Sequence, residues 1–126
     1  MKNKLLGSWS LRSFTIVPKS GDPKPWGQNA HGLLIYADDG QMSVSINRDP
    51  ESTGNEAKDA FDSVLFYSGT YQVQEDKITH QVTNATSLSR IGKEMIRFAK
   101  LNGDELTLTT PEEAFGTAIL VWRKIK

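Results

Sequence analysis

Cysteine is missing from this chain of 126 residues. Its absence excludes a disulfide framework, thiolate catalysis and any thiolate metal site. Neither sign of charge is in excess, since 15 Lys and Arg stand against 15 Asp and Glu. A neutral chain has no electrostatic footprint for nucleic acid or an anionic membrane, so neither is expected as a partner. Long apolar runs are lacking too. Met1-Lys-Asn-Lys-Leu-Leu-Gly-Ser-Trp9 has no apolar h-region, and nothing approaches the length of a membrane span. The expectation is a soluble, cytoplasmic protein with no membrane insertion. Histidine occurs only at His31 and His80, too few for a zinc site without further ligands nearby. Gly32 leads into an apolar strand rather than a phosphate loop, and Ser8, Ser43 and Ser45 have no nucleophile-elbow context. No metal and no cofactor is expected.

The residues present favour strands, in one domain spanning 1–126. From Leu5 to Val17, β-branched and aromatic residues make a long first strand. Strict alternation sets Trp9, Leu11, Ser13, Thr15 and Val17 on one face and Ser10, Arg12, Phe14 and Ile16 on the other. Residues 18–30, rich in proline and glycine, form a loop. Residues 32–37 and 41–48 then make a hairpin around Asp38-Asp39-Gly40. Ala57, Ala60, Phe61, Val64 and Leu65 recur at helical spacing and predict a short amphipathic helix over 56–65, with the nearby carboxylates as its solvated face. Strands at 67–74 and 77–84 turn at Glu75-Asp76, which pairs Val73 with Ile78 and Tyr71 with His80 on one face. Strands at 92–101 and 105–110 surround Asn102-Gly103, and 118–123 forms an eighth. Eight short strands, one helix and no internal repeat argue an up-and-down barrel or a sandwich.

Gly7-Ser8-Trp9 on the first strand and Arg123 on the last resemble the Gly-x-Trp and late Arg of the lipocalins and related calycins. The resemblance implies that Arg123 packs over Trp9 and, with Gly7, closes the barrel floor; a guanidinium does stack well on an indole. A closer resemblance covers most of the chain. Pro25-Trp26-Gly27, Gly32-Leu-Leu-Ile-Tyr36, Asp39-Gly40-Gln-Met-Ser43, Tyr67-x-Gly69-Thr-Tyr71, Thr79-His80, Gly103-Asp104-x-Leu106-Thr-Leu108 and Leu120-Val-Trp-Arg123 are similar to the bacterial and fungal lipocalin-like domain family. That resemblance implies an all-β, eight-stranded antiparallel up-and-down barrel of the calycin or lipocalin type. It supplies a fold and little chemistry.

His80 is the leading catalytic candidate. It is either a cavity-wall residue or, with its near-neutral pKa, a proton-transfer group oriented by Tyr71. Arg97 depends on register. A two-residue turn at Asn102-Gly103 pairs it with Leu108 and points it inward. A three-residue loop at 101–103 points it outward and brings Glu94 to the inner face. An inward Arg without a partner calls for an anionic ligand group or a buried carboxylate. Trp26, Tyr36, Met42 and Trp122 complete the candidate wall or rim, with the 18–30 loop and the helix as caps. The leading function is binding of a small, largely hydrophobic molecule inside the barrel. The alternatives are an isomerase, cyclase or hydrolase acting on a lipophilic substrate, with His80 as acid or base, and a filled barrel serving only as an interaction module. The oligomeric state is not written in the sequence.

Overall fold

A computed structural model describes residues 1–126. Period-two patterning becomes strands β1 (Gly7–Val17), β2 (Lys24–Pro25), β3 (His31–Tyr36), β4 (Gln41–Asn47), β5 (Val64–Gln74), β6 (Lys77–Ala85), β7 (Glu94–Asn102), β8 (Glu105–Thr109) and β9 (Thr117–Lys124). On β4, Met42, Val44 and Ile46 are buried; on β9, Ala118, Leu120 and Trp122 are. All pairings are antiparallel, in the order β1-β3-β4-β5-β6-β7-β8-β9, and β9 pairs back onto β1. The result is a closed eight-stranded barrel, with β2 a two-residue addition against the far end of β1. Closure leaves neither β1 nor β9 as an open edge.

Two bulges reset the inside–outside alternation. On β1, Leu11 pairs with Trp122 and Ser13 with Val121, so Arg12 is an extra residue. Trp9 faces inward before it, and Phe14 and Ile16 after it. The strict alternation expected from sequence assigned Phe14 and Ile16 to the wrong face, because one inserted residue exchanges the faces beyond it. On β6, Thr83 is extra between the partners of Ser68 and Gly69. Gly69 is required there, since a Cβ would lie 1.8 Å from the Gln81 carbonyl oxygen.

The β7–β8 hairpin adopts neither expected register. Its turn is Gly103-Asp104, with Asn102 opposite Glu105 and Ala99 opposite Leu108. Gly103 takes the first central position with φ of 62°, where the turn needs a positive value. Relative to the two-residue alternative the pairing moves by two residues, which preserves the face, so Arg97 points inward and Glu94 is exposed.

Helical structure also departs from expectation. The chain begins with helix α1 (Lys2–Leu5), and the long strand starts at Gly7, not Leu5. A single 3₁₀ turn covers Leu88–Arg90. Helix α2 (Glu56–Asp62) is short, and β5 already begins at Val64. Its faces are inverted. Asp59 is buried, accepting from the Thr53 amide at 2.8 Å and hydroxyl at 2.6 Å, while Phe61 is 54% exposed. The helix folds back on its own loop, so hydrogen bonds to Thr53, not apolar burial, choose its inner side.

Closure at the floor involves Lys124 in place of Arg123. Trp9 pairs directly with Lys124, whose Nζ stands 4.7 Å from the indole centroid and donates to the Leu6 carbonyl. Arg123, one position earlier, faces outward and is exposed. Alternation along β9 decides this, since Trp122 and Lys124 share the inner face. Trp9 is 1% exposed, and its Nε1 donates to the Leu5 carbonyl at 2.9 Å.

Candidate functional site

The barrel interior divides into a packed floor and an open cavity. The cavity has a volume of about 500 Å³ and is lined mostly by apolar side chains. Its wall comes from the halves of the strands nearest the connections 18–30, 48–63, 86–93 and 110–116, including Phe14 and Ile16 of β1, Val44 and Ile46 of β4, and Leu108 of β8. At the opposite end, α1 and the tight turns close the barrel over buried Leu5, Trp9, Tyr36, Met42, Ile78 and Leu106.

His80 sits at the boundary. Its Nε2 lies 2.7 Å from the Tyr36 hydroxyl in the floor, and its Nδ1 lies 2.6 Å from the Tyr67 hydroxyl in the wall. Burial pushes its pKa down to about 3, with the positive charge of Arg97 adding to the effect. The imidazole is therefore neutral around pH 7, with one N–H and one bare nitrogen. Two hydrogen bonds consume two of the three protons on this trio, so the tyrosine that accepts from His80 keeps a free O–H. Tyr36 is fully buried and its hydroxyl has no other partner, so a free O–H there would be orphaned. The economical arrangement has Tyr36 donating to Nε2, Nδ1–H donating to Tyr67, and the Tyr67 O–H left to the cavity.

Tyr67 is itself influenced by the cations of the wall. Burial raises its pKa, opposed by the charges of Arg97 and Arg90 and by a side-chain hydrogen bond from Arg97. Tyr36 is raised well above the ordinary phenol value, first by burial and then by Tyr67, with Arg97 opposing. Arg97 donates from Nη1 to the Ile96 carbonyl at 2.8 Å. Neither Arg97 nor Arg90 forms a salt bridge; the ion pairs of the protein are Arg48–Glu51, Lys58–Asp62 and Lys126–Asp104. The remaining charged residue on the lining is Glu113.

At the mouth, Trp26 stacks on Phe14 with centroids 4.8 Å apart and 14° between planes, and the Arg48 guanidinium lies 4.3 Å from the Trp26 ring centroid. The Trp26 amide donates to the Phe14 carbonyl at 2.8 Å, and the Asp49 amide to the Gln28 carbonyl at 2.9 Å. The loop over 18–30 is thereby fastened across one side of the opening.

Of the residues singled out from sequence, Trp26, His80, Arg97 and Trp122 line the cavity. Tyr36, Met42 and Tyr71 do not; they are buried in the floor, near the β3–β4 turn. Tyr71 is opposite His80, as the Glu75-Asp76 turn requires, yet does not orient it. The Tyr71 hydroxyl donates to the Ala37 carbonyl at 2.7 Å, and Tyr67 takes the place beside His80. Sequence reasoning missed Tyr67 although Tyr67-x-Gly69-x-Tyr71 puts it on the inner face. It also missed Phe14 and Ile16, which lie beyond the bulge, and Arg90 and Glu113, which lie outside the strands and carry no periodic signal. The Trp122 Nε1 is buried without a hydrogen-bond partner.

Comparison with known proteins agrees with this architecture. A family model described as a lipocalin-like domain matches residues 6–125. The fold is similar to the crystal structure of a lipocalin-like protein from Bacteroides uniformis, at 16% identity and a TM-score of 0.56, covering 97% of this chain and 99% of that one. It is similar to an uncharacterized protein from Bacteroides eggerthii, at 14% identity and a TM-score of 0.54, covering 96% and 99%. A redesigned β-barrel is similar at 9% identity and a TM-score of 0.55, covering 99% and 95%. Likeness at these identities speaks to fold alone. No curated protein matches the chain.

Proposed function

Because this chain belongs to the lipocalin-like domain family, we propose that its barrel binds a small, largely hydrophobic molecule in the cavity above the His80 trio. The observation that carries this reading is the cavity itself. About 500 Å³ is left unfilled between apolar walls, within the range of small-molecule sites, with a few polar groups gathered on one side. A barrel serving only as an interaction module has no use for such a space, which Leu or Val would fill. Trp26 and Trp122 contact the ligand in this reading, Trp26 at the mouth and Trp122 on the wall. Catalysis with His80 as acid or base is the weaker reading, because a group held neutral down to about pH 3 has no proton to give near pH 7 and little appetite for one.

The test is titration with the uncharged fluorophore N-phenylnaphthylamine, followed by competition with fatty alcohols, steroids and aromatic polyketides. Saturable enhancement with a matching change in tryptophan emission is expected, and A118F, which sets a ring into the cavity wall, weakens it. Absence of saturable binding for every member of this panel and for anionic ligands with the same apolar bodies overturns the proposal.

A further inference from the structure

Three polar groups on the cavity wall, Tyr67, Arg97 and Arg90, are all donors. Arg97 and Arg90 carry five N–H groups each and accept nothing. The proton count around His80 leaves the Tyr67 O–H directed away from the trio, and its oxygen already accepts from Nδ1. The one acidic side chain on the lining, Glu113, sits on the exposed connection before β9 and is not within salt-bridge distance of either guanidinium. The lining therefore carries a net positive charge in largely apolar surroundings. A cation in that setting is costly unless an anion or several acceptors complete it. A neutral hydrophobic ligand would seal these guanidinium groups from water and add to that cost.

We propose that the ligand is a lipophilic monoanion, in chemical class a long-chain or aromatic carboxylic acid, whose headgroup is held by Arg97 and Arg90 beside the Tyr67 hydroxyl. This rests on the cavity being a binding site, and it adds the class of ligand that the site takes. The carboxylate accepts from all three groups, its apolar body lies along the wall formed by Phe14, Ile46 and Leu120, and no other charged group has to move inside. The same pattern explains why His80 is neutral and tied to two tyrosines. An imidazolium there would be a third cation, and the imidazole instead serves to fix the tautomer that leaves Tyr67 as a donor. Tyr67 is a positioning and binding residue in this scheme, and Glu113 is a competitor for the same cations.

The experiment uses the full chain and two probes with the same aromatic body, anilinonaphthalene sulfonate, which is anionic, and N-phenylnaphthylamine, which is not. Decanoate and decanol serve as displacing ligands. The wild type is expected to bind the sulfonate, and decanoate over decanol, by about tenfold or more, as charge-assisted hydrogen bonds dictate. R97M and R90Q each lose most of that preference, read for every variant as the ratio of charged to neutral binding within a pair, R97K keeps part of it, and E113Q increases it. If R97M fails to fold, R90Q, R97K and E113Q decide the matter, since Arg90 and Glu113 lie on exposed connections. Equal binding of the charged and neutral members of both pairs, or a preference that R90Q and R97K leave intact, overturns the anion assignment while the binding proposal stands. Failure of the neutral probe and decanol alone, with the anions bound, supports it. Failure of all four ligands removes the binding site itself.

Discussion

The Tyr36 hydroxyl lies 2.7 Å from Nε2 of His80, in a place where both residues are almost wholly buried. That bond joins the floor of the barrel to the polar side of its cavity, where burial, with the positive charge of Arg97 adding to it, keeps the imidazole neutral. A histidine whose folded pKa is depressed from 6.5 to about 3 binds protons less well folded than unfolded. Stability is then at its full value above the unfolded pKa and falls as pH drops from 6.5 toward 3. Between pH 7 and pH 5 the loss should be about 2 kcal/mol. The carboxylates with lowered pKa, Asp59 and Asp104, act only at lower pH. Urea melts at both pH values check this, and H80Q is expected to flatten the dependence in that window.

Trp9 and its cover make the second expectation. W9A removes a fully buried indole and should cost about 3–5 kcal/mol. K124Q removes the cation over the ring and the donor to the Leu6 carbonyl, for about 1 kcal/mol or more. R123Q touches an exposed, outward side chain and should stay within about 0.5 kcal/mol of the wild type. Denaturant midpoints for the three variants test the order, and a larger effect at Arg123 than at Lys124 contradicts the closure seen here.

The inverted helix gives the third. D59A leaves the Thr53 amide and hydroxyl without their acceptor and is expected to lower stability more than any change at Phe61. F61S exchanges an exposed ring for a hydroxyl and should change stability by less than about 0.5 kcal/mol. Thermal melts of both variants read the contrast, and a helix packed by its apolar face would reverse it.

Most of the strands were legible in the sequence because alternation is local, and the resemblance of the Gly7-x-Trp9 end and the later motifs to the lipocalin-like family chose the barrel over a sandwich. Met42, Val44 and Ile46, or Ala118, Leu120 and Trp122, can be sorted into an inner face from one residue to the next. The hairpin at Glu75-Asp76 was equally legible, because a two-residue turn leaves a single register and places His80 opposite Tyr71. Three features needed the closed barrel. Arg12 is an extra residue only by comparison with Trp122 and Val121 on a strand more than a hundred positions away, so the inward turn of Phe14 and Ile16 has no local sign. Arg97 faces the cavity because the turn holds two central residues, Gly103 and Asp104, and not three, and that choice is made by the pairing of the whole hairpin. Lys124 covers Trp9 because closure sets them opposite each other. Sequence by itself determined a run of short antiparallel strands fit for a barrel or a sandwich, with few polar residues to spare inside, and its resemblance to the lipocalin-like family pointed to the barrel. Only the tertiary structure decided which of them meet, because the depth of a side chain along the barrel depends on the stagger of strands that are distant in the chain. Depth is what sends Tyr36, Met42 and Tyr71 to the floor and leaves Tyr67, Arg90 and Arg97 around the cavity.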